Sequence, residues 1–370
     1  MRARFIIFIV IIQSILLATH GFLYATLVFF WQPDTPSLPW LRAAFLLLAL
    51  SFVVASVLAF RYYNLAVRLF YTAAAVWLGF GSFFFWAGCG LWISYLGLRI
   101  TGAGLARKQI LLSFMAAAVV AGVYGILNAT RIGVRTITIK LPGLPGSWNG
   151  RSAVLVTDTH LGPVNGHRFS KRIATMVTDL KPSVVFMSGD FYDGTAADLE
   201  GFAEPWRHVS PPLGAYFVTG NHEEFSDRTK YLNALSAAGI RLLNNEKIEL
   251  DGLQLVGVHD TESGNPERFR AILDRAALDR SRASILLGHT PHQLEIPEEA
   301  GIHLQLSGHT HGGQFFPYTW ITSRIYGKFV YGLQEFRSMQ VYTSYGAGTW
   351  GPPLRVGTRP EIVLIRFESD

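Results

Sequence analysis

Five short apolar runs in the second half of the chain end in residues that could do metal chemistry. Residues 153–157 lead into Asp158-Thr159-His160, and 184–188 into Gly189-Asp190. Residues 215–219 lead into Gly220-Asn221-His222-Glu223, and 284–287 into Gly288-His289. Residues 303–307 lead into Gly308-His309-Thr310-His311-Gly312-Gly313. These tips hold two aspartates, one asparagine, five histidines and no thiolate. Carboxylate oxygen, amide oxygen and imidazole nitrogen together suit divalent Mn, Fe or Zn. A single catalytic zinc takes about three protein ligands, so a set of this size points to two cations. Such pairs, about 3.5–4 Å apart, clamp the attacking and leaving oxygens of an in-line phosphoryl displacement. They also lower the pKa of a shared water, which makes hydroxide available near neutral pH.

Runs of four or five residues rich in β-branched types and bounded by glycine read as buried strands. Helical patterns at 169–180, 228–238 and 267–278 lie between them. The alternation predicts an α/β domain, in which ligands collect beyond the carboxyl ends of strands.

The 370 residues carry a net charge of +6, unevenly spread. Residues 1–150 contain one acid, Asp34, and eleven Lys/Arg, whereas residues 151–370 are net −4. The basic character therefore belongs to the first part, and the second has no Lys/Arg run of five, which excludes nucleic acid as the expected partner. Cys89 is the one cysteine, so an intramolecular disulfide, a cysteine zinc cluster and an iron–sulfur centre are ruled out.

Four stretches, 5–30, 41–60, 69–98 and 110–128, are long and apolar enough to cross a bilayer. The first is too long for a signal h-region and no small-x-small cleavage site follows, so it reads as a retained anchor. Gly79, Gly81, Gly88 and Gly90 in the third open the prospect of a tilted or broken helix, and of five spans rather than four. His20 and Gln13 in the first stretch read as helix–helix hydrogen-bonding groups. Lys and Arg number seven on the side of the N-terminus and four on the other, which by itself favours a cytoplasmic N-terminus and domain; the dense loop at 99–108 votes the other way. Pro142, Gly143, Pro145 and Gly146 mark a linker.

The order D-x-H, G-D, G-N-H-E, G-H and G-H-T-H-G-G-Q resembles the calcineurin-like metallophosphoesterase family. Within it, the chain is most similar to a membrane-anchored bacterial branch with S-G-H-T-H-G-G-Q and a later G-x-W-G-P-P. The resemblance covers about residues 135–370, with all five blocks in the family's order. It implies a four-layer α/β/β/α sandwich preceded by an all-α transmembrane region. The expected division is 1–128 transmembrane, 129–150 linker and first strand, and 151–370 metallophosphoesterase domain. The resemblance further implies two metals: Asp158, His160 and His311 on one, Asn221, His289 and His309 on the other, and Asp190 bridging both. His222 would stand by the leaving group as acid or electrostatic stabiliser, and Asp193 would orient it. The protein-phosphatase branch has an arginine directly after that second aspartate; here it is Gly194, which counts against a phosphoprotein substrate. Trp350 and Arg355 are the candidates for lining the pocket instead.

Independently of the family, His222 has the right type for protonating a departing alkoxide or phosphate. Gly312 and Gly313 would let the backbone pass close to metal or phosphate. Glu223 reads as a supporting or helix-starting residue, and His259 as a group behind the ligands. His167, His208 and His292 read as surface or capping residues, and His303 as a satisfied strand residue.

The expected activity is hydrolysis of a phosphate ester or pyrophosphate bond by in-line attack of a hydroxide shared by two divalent metals (Mn, Fe or Zn). Because the helices fix the site near a lipid bilayer, the expected partners are that bilayer and a phosphorylated, lipid-linked substrate, with no protein partner. The resemblance implies a multi-pass cell-membrane protein with its catalytic domain on the extracytoplasmic face. The rival reading is a membrane sensor or scaffold with a metal-binding but catalytically idle domain. Degenerate domains lose ligands, and none of the positions above is lost. A transporter or channel with a regulatory domain is the third reading; no Asp, Glu, Lys or Arg lies well inside a span, which counts against an ion pathway but not against a lipid flippase.

Overall fold

A computed structural model describes residues 2–101, 106–225 and 227–369. The chain divides into two compact units, Met1–Leu127 with Gly351–Leu354, and Asn128–Trp350 with Arg355–Asp370.

The first unit holds helices α1 (Arg2–Trp31), α2 (Leu38–Ala59), α3 (Leu65–Ile100) and α4 (Arg107–Ala129), all four long and apolar enough to cross a membrane. α3 runs unbroken through its glycines. They serve as notches instead: a Cβ at Gly88 would lie 2.9 Å from the Phe22 ring, and one at Gly90 2.8 Å from the Phe114 ring. The polar groups of α1 bond to other helices. Trp77 Nε1 donates to His20 Nε2 at 2.8 Å, and Gln13 Nε2 donates to the Ala49 carbonyl at 3.1 Å. In an apolar medium such bonds hold helices together because the alternative is an unpaired polar group.

The second unit is built from β1 (Gly133–Lys140), β2 (Ser152–Val156), α5 (His167–Asp179), β3 (Val184–Ser188), α6 (Leu199–Ala203), β4 (Ala215–Val218), α7 (Arg228–Ala237) and β5 (Arg241–Leu242). It continues through β6 (Glu246–Leu250), β7 (Leu253–Gly257), α8 (Asp260–Ser263), α9 (Pro266–Ala276), β8 (Ser284–Leu287), α10 (Glu295–Ala300) and β9 (Leu304–Ser307). α11 (Tyr318–Tyr326), β10 (Gly332–Phe336), β11 (Met339–Thr343) and β12 (Glu361–Glu368) complete it. The strands form two six-stranded mixed sheets, in the orders β1-β12-β2-β3-β4-β5 and β10-β11-β9-β8-β7-β6. Each has a parallel centre: β2, β3, β4 and β5 in one, and β11, β9, β8 and β7 in the other. Part of the linker region is thus an edge strand, β1, paired in parallel with β12 from Gly133↔Glu361 to Lys140↔Glu368.

The sheets pack face to face on one apolar core that includes Leu155, Phe186 and Val218 from the first and Leu255, Ile285 and Leu306 from the second. Helices cover the outer faces: α9 sets Phe269, Ile272 and Leu273 against the second sheet. Asn265 caps α9 by accepting from the amides of Glu267 and Arg268, with Pro266 at the first helical position. The result is the expected α/β/β/α layering. Because β2, β3 and β4 are parallel neighbours, as are β8 and β9, their carboxyl ends and the loops that follow fall side by side.

Candidate metal centre

Each loop turns away from its strand within one or two residues, and the turns are tight. Asp158, His160, Asp190, His309 and His311 all take positive φ, between 46° and 68°. A left-handed conformation costs a non-glycine residue about 1–2 kcal/mol, and a cluster of five in one place marks a functional site. Glycines make room beside them. A Cβ on Gly220 would overlap the Asp190 carboxylate, one on Gly308 would overlap Asp158, and one on Gly346 would lie 2.5 Å from the Asp158 Cβ. Gly312 and Gly313 leave room for the Tyr345 ring and the Tyr318 backbone.

Three groups of candidate donors form among the described residues, the third being His160, Asp193 and His222. In the first, His160 Nε2 and His311 Nε2 face one another at 2.9 Å, with Asp158 Oδ1 3.9 Å from the former and 3.5 Å from the latter. In the second, His309 Nδ1 is 2.9 Å from Asn221 Oδ1 and 3.2 Å from His289 Nε2, and His289 Nε2 is 3.1 Å from Asp190 Oδ2. Asp190 Oδ2 is also 3.7 Å from His160 Nε2, so one carboxylate borders the first two groups. His289 Nδ1 donates to the Ser188 carbonyl at 2.8 Å, which turns Nε2 toward Asp190 and His309.

Electrostatics agree with a cation site. Asp158, Asp190, Asp193 and Glu223 are all buried, and Arg355 is the one Lys or Arg fully buried among them. So many buried carboxylates need compensating charge. Burial lowers the pKa of His160, His309 (to about 4) and His311, which keeps them neutral, as ligands must be. Burial opposes the charged form of His289 too, but Asp190 and Asp158 outweigh it and hold its pKa well above the ordinary value.

His222 lies beside the first two groups, its ring centroid 4.6 Å from that of His160. Its Nδ1 donates to the backbone carbonyl of Asp193 at 2.9 Å, while the Asp193 carboxylate stands 3.8 Å away. That carboxylate is nearer to His160 Nδ1, at 3.4 Å, and burial pushes its pKa up to about 7. Orientation of His222 by Asp193 thus comes chiefly from the main chain.

The two pocket candidates part company. Trp350 is 51% exposed, its ring 5.7 Å from that of His222. Arg355 is fully buried. Its Nη2 donates to the carbonyls of Tyr345 and Gly348 and lies 3.0 Å from His311 Nδ1, so it braces the 345–348 loop behind His311.

Two residues contribute more than their types suggested. Glu223 accepts from the amides of Asp190 (3.0 Å), Gly220 (2.8 Å) and Tyr192 (2.9 Å), tying the Asp190 loop to the Asn221 loop. Burial and the Asp190 charge raise its pKa to about 8 against the pull of those amides. Gln314 clamps Trp350 at both backbone groups, accepting from its amide at 2.8 Å and donating to its carbonyl at 2.9 Å. The G-H-T-H-G-G-Q motif contained Gln314, but its partner lies 36 residues away and nothing local announces the pairing. His259 Nδ1 accepts from the Thr219 amide at 3.1 Å behind the Asn221 loop. His167 and His208 are exposed beside Glu204, and His303 shares a hydrogen bond with Ser284.

Residues 152–313 match the family model for calcineurin-like phosphoesterases. Over 277 residues the chain is 34% identical to a transmembrane protein with metallophosphoesterase domain from Danio rerio, covering 70% of this chain and 62% of that one. It is 32% identical over 218 residues to an uncharacterized metallophosphoesterase of Helicobacter pylori, covering 58% and 59%. An uncharacterized metallophosphoesterase of Aquifex aeolicus is 30% identical over 259 residues, which is 68% of this chain and 98% of that one. The first two relatives are thus matched over about three fifths of their length.

Proposed function

The chain belongs to the calcineurin-like metallophosphoesterase family, and from that premise we propose that it is a membrane-anchored, dinuclear metal-dependent hydrolase of a phosphate ester or pyrophosphate bond on a lipid-linked substrate. The observation that carries the dinuclear reading is the position of Asp190, whose Oδ2 stands 3.7 Å from His160 Nε2 and 3.1 Å from His289 Nε2. Asp158, His160 and His311 would hold one cation, Asn221, His289 and His309 the other, with Asp190 shared. When bound, two divalent cations supply charge neutralisation at the phosphoryl oxygens and acidify water.

The chain's own residues do the rest. Asp158 and Asp190 are themselves positioned by backbone amides, those of His309 and His222 respectively, so little reorganisation accompanies reaction. With Nδ1 committed to the Asp193 carbonyl, His222 has Nε2 to give a proton to the leaving oxygen. Asn221 contributes an oxygen without adding charge that would repel an anionic substrate. Trp350, half exposed beside His222, offers an aromatic wall for the substrate's organic portion.

The test uses purified full-length protein, stripped of metal and reloaded with Mn, Fe, Zn or Mg, assayed on a phosphate monoester, a diester and a lipid phosphate. Metal-dependent turnover is expected, and Asp190→Asn should lower it by about a hundredfold or more with fewer than two metals retained, the scale of removing a ligand shared by the charge-stabilising groups. Unchanged metal content and turnover in Asp190→Asn would overturn the assignment; two bound metals without turnover on any ester would favour an idle domain. We place the catalytic unit on the extracytoplasmic face, against the Lys/Arg tally, and a topology reporter fused after Lys140 distinguishes the two.

A further inference from the structure

α11 has its polarity inverted. A surface helix in water turns its apolar stripe inward. In α11 the half-buried residues are Thr319, Thr322 and Tyr326, while Tyr318, Trp320, Ile321 and Ile325 are exposed. Tyr318, Ile321 and Ile325 follow the i, i+3, i+7 spacing and so share one outward stripe. Trp320, 56% exposed, extends it, and Ile325 is 66% exposed. With Phe316 just before the helix, this segment supplies five of the nine large apolar side chains exposed on the described residues of the α/β unit.

The chemistry of the segment says what covers it. Trp and Tyr favour the membrane–water boundary. The charged residues between 312 and 334 are Arg324 and Lys328, with no acid. The Arg324 guanidinium sits 5.5 Å over the Trp320 ring, so cation and aromatic are presented together. Apolar and aromatic groups with a cationic margin match an anionic lipid surface. The same chain carries four bilayer-length helices, so a bilayer is at hand for every copy of the protein.

α11 also lies against the candidate ligand segment: one end contacts His309 and the other Phe315, just past His311. The Tyr318 ring packs 5.4 Å from Phe315, four residues after His311, and the Tyr326 ring lies 6.1 Å from that of His309. We propose that α11 is an interfacial helix whose outer face, Tyr318, Trp320, Ile321 and Ile325, is seated in the headgroup–acyl boundary of an anionic bilayer. That seating holds the neighbouring ligand cluster at the level of lipid phosphates, and this last step rests on the phosphoesterase reading above.

The experiment measures depth, which needs no activity. Full-length protein with Cys89→Ser receives Ile325→Cys or, for reference, Ser236→Cys on α7, is labelled with an environment-sensitive fluorophore, and is placed one copy per nanodisc of phosphatidylcholine and phosphatidylglycerol. At position 325 the emission should shift to the blue and be quenched several-fold more by acyl-chain doxyl lipids than at 236. Water-like emission at 325 would overturn the proposal, as would a blue shift that doxyl lipids fail to quench, since protein would then be the cover. In a second arm, Ile321→Asp with Ile325→Asp should lower kcat/KM for a bilayer-embedded phosphate about tenfold relative to a water-soluble ester, the loss of two apolar contacts with lipid. Equal losses on both substrates would overturn the link to catalysis. A lipid-quenched label in a protein that hydrolyses neither substrate would support the docking and overturn the enzymatic reading alone.

Discussion

Glu223 touches none of the candidate ligand atoms, yet both halves of the site depend on it. Its two oxygens accept from three amides in two loops, and those loops carry Asp190, Asn221 and His222. The left-handed turns at the ligands are unfavourable on their own, so bonds of this kind must hold them. Glu223→Gln keeps the volume but sets an NH2 group against at least one buried N–H donor. An unsatisfied buried donor costs about 1–3 kcal/mol, and loss of a group supporting metal ligands typically weakens metal affinity about 10–100-fold. Chemical denaturation and metal titration of Glu223→Gln should show both losses. Wild-type stability and metal affinity would show that the clamp contributes nothing. Arg355 belongs to the same class. Its charge stabilises a loop of carbonyls behind His311, a role its sequence does not announce because the carbonyls it serves carry no side-chain signature.

The elements that bring the ligands together were legible because they are buried on both faces. β2, β3, β4, β7, β8 and β9 are short, mostly apolar (Gln254 in β7 and Gln305 in β9 are the interior exceptions) and closed by a polar tip, so they stand out without any periodicity. β1 and β10 do not, because they are edge strands whose exposed residues alternate with half-buried ones. The candidate ligands were legible for the same reason as the strands: each follows its strand by two to four residues. What could not be read were the bonds between tips, such as Gln314 to Trp350, where partners distant in the chain meet only in the fold. The glycines at the tips are the intermediate case, visible in sequence but with a reason that only packing supplies. Gly220 lies where the β4 tip crosses the β3 tip, and a Cβ there would overlap the Asp190 carboxylate and lie 2.6 Å from its amide nitrogen. Gly220→Ala should therefore displace Asp190 while leaving both sheets intact, at about 1–3 kcal/mol for overpacking. Unchanged circular dichroism with weakened binding of the metals that Asp190 would share is the expected result; full metal occupancy would show that the two tips have room to separate.

Across the whole molecule, metal and fold are coupled through buried charge. Among the described residues the α/β unit buries five carboxylates, four of them (Asp158, Asp190, Asp193 and Glu223) at the candidate site, against one buried arginine; this makes the metal-free site electrostatically unfavourable, and divalent cations would relieve that. A ligand that binds only the folded state stabilises it by about 2.7 kcal/mol at a hundred times its Kd. For a unit of this size each kcal/mol raises Tm by about 2–4 °C, so saturating one site should add about 5–10 °C. Asp190 borders the first two donor groups, so the two metals should stabilise more together than the sum of each alone, and Asp190→Asn should abolish that excess. The helical unit has no part in this linkage, because its buried polar groups pair with one another and it holds no carboxylate besides Asp34. Hydrogen exchange on the full-length protein, with metal and with chelator, resolves the two. Metal should slow exchange at residues 158–160, 189–193, 220–224 and 308–314, where the amides are tied to the ligand loops, and leave α1 through α4 unchanged. Protection that rises equally in the membrane helices would mean that metal acts through a global change, and protection at only one pair of loops would mean that a single cation is bound.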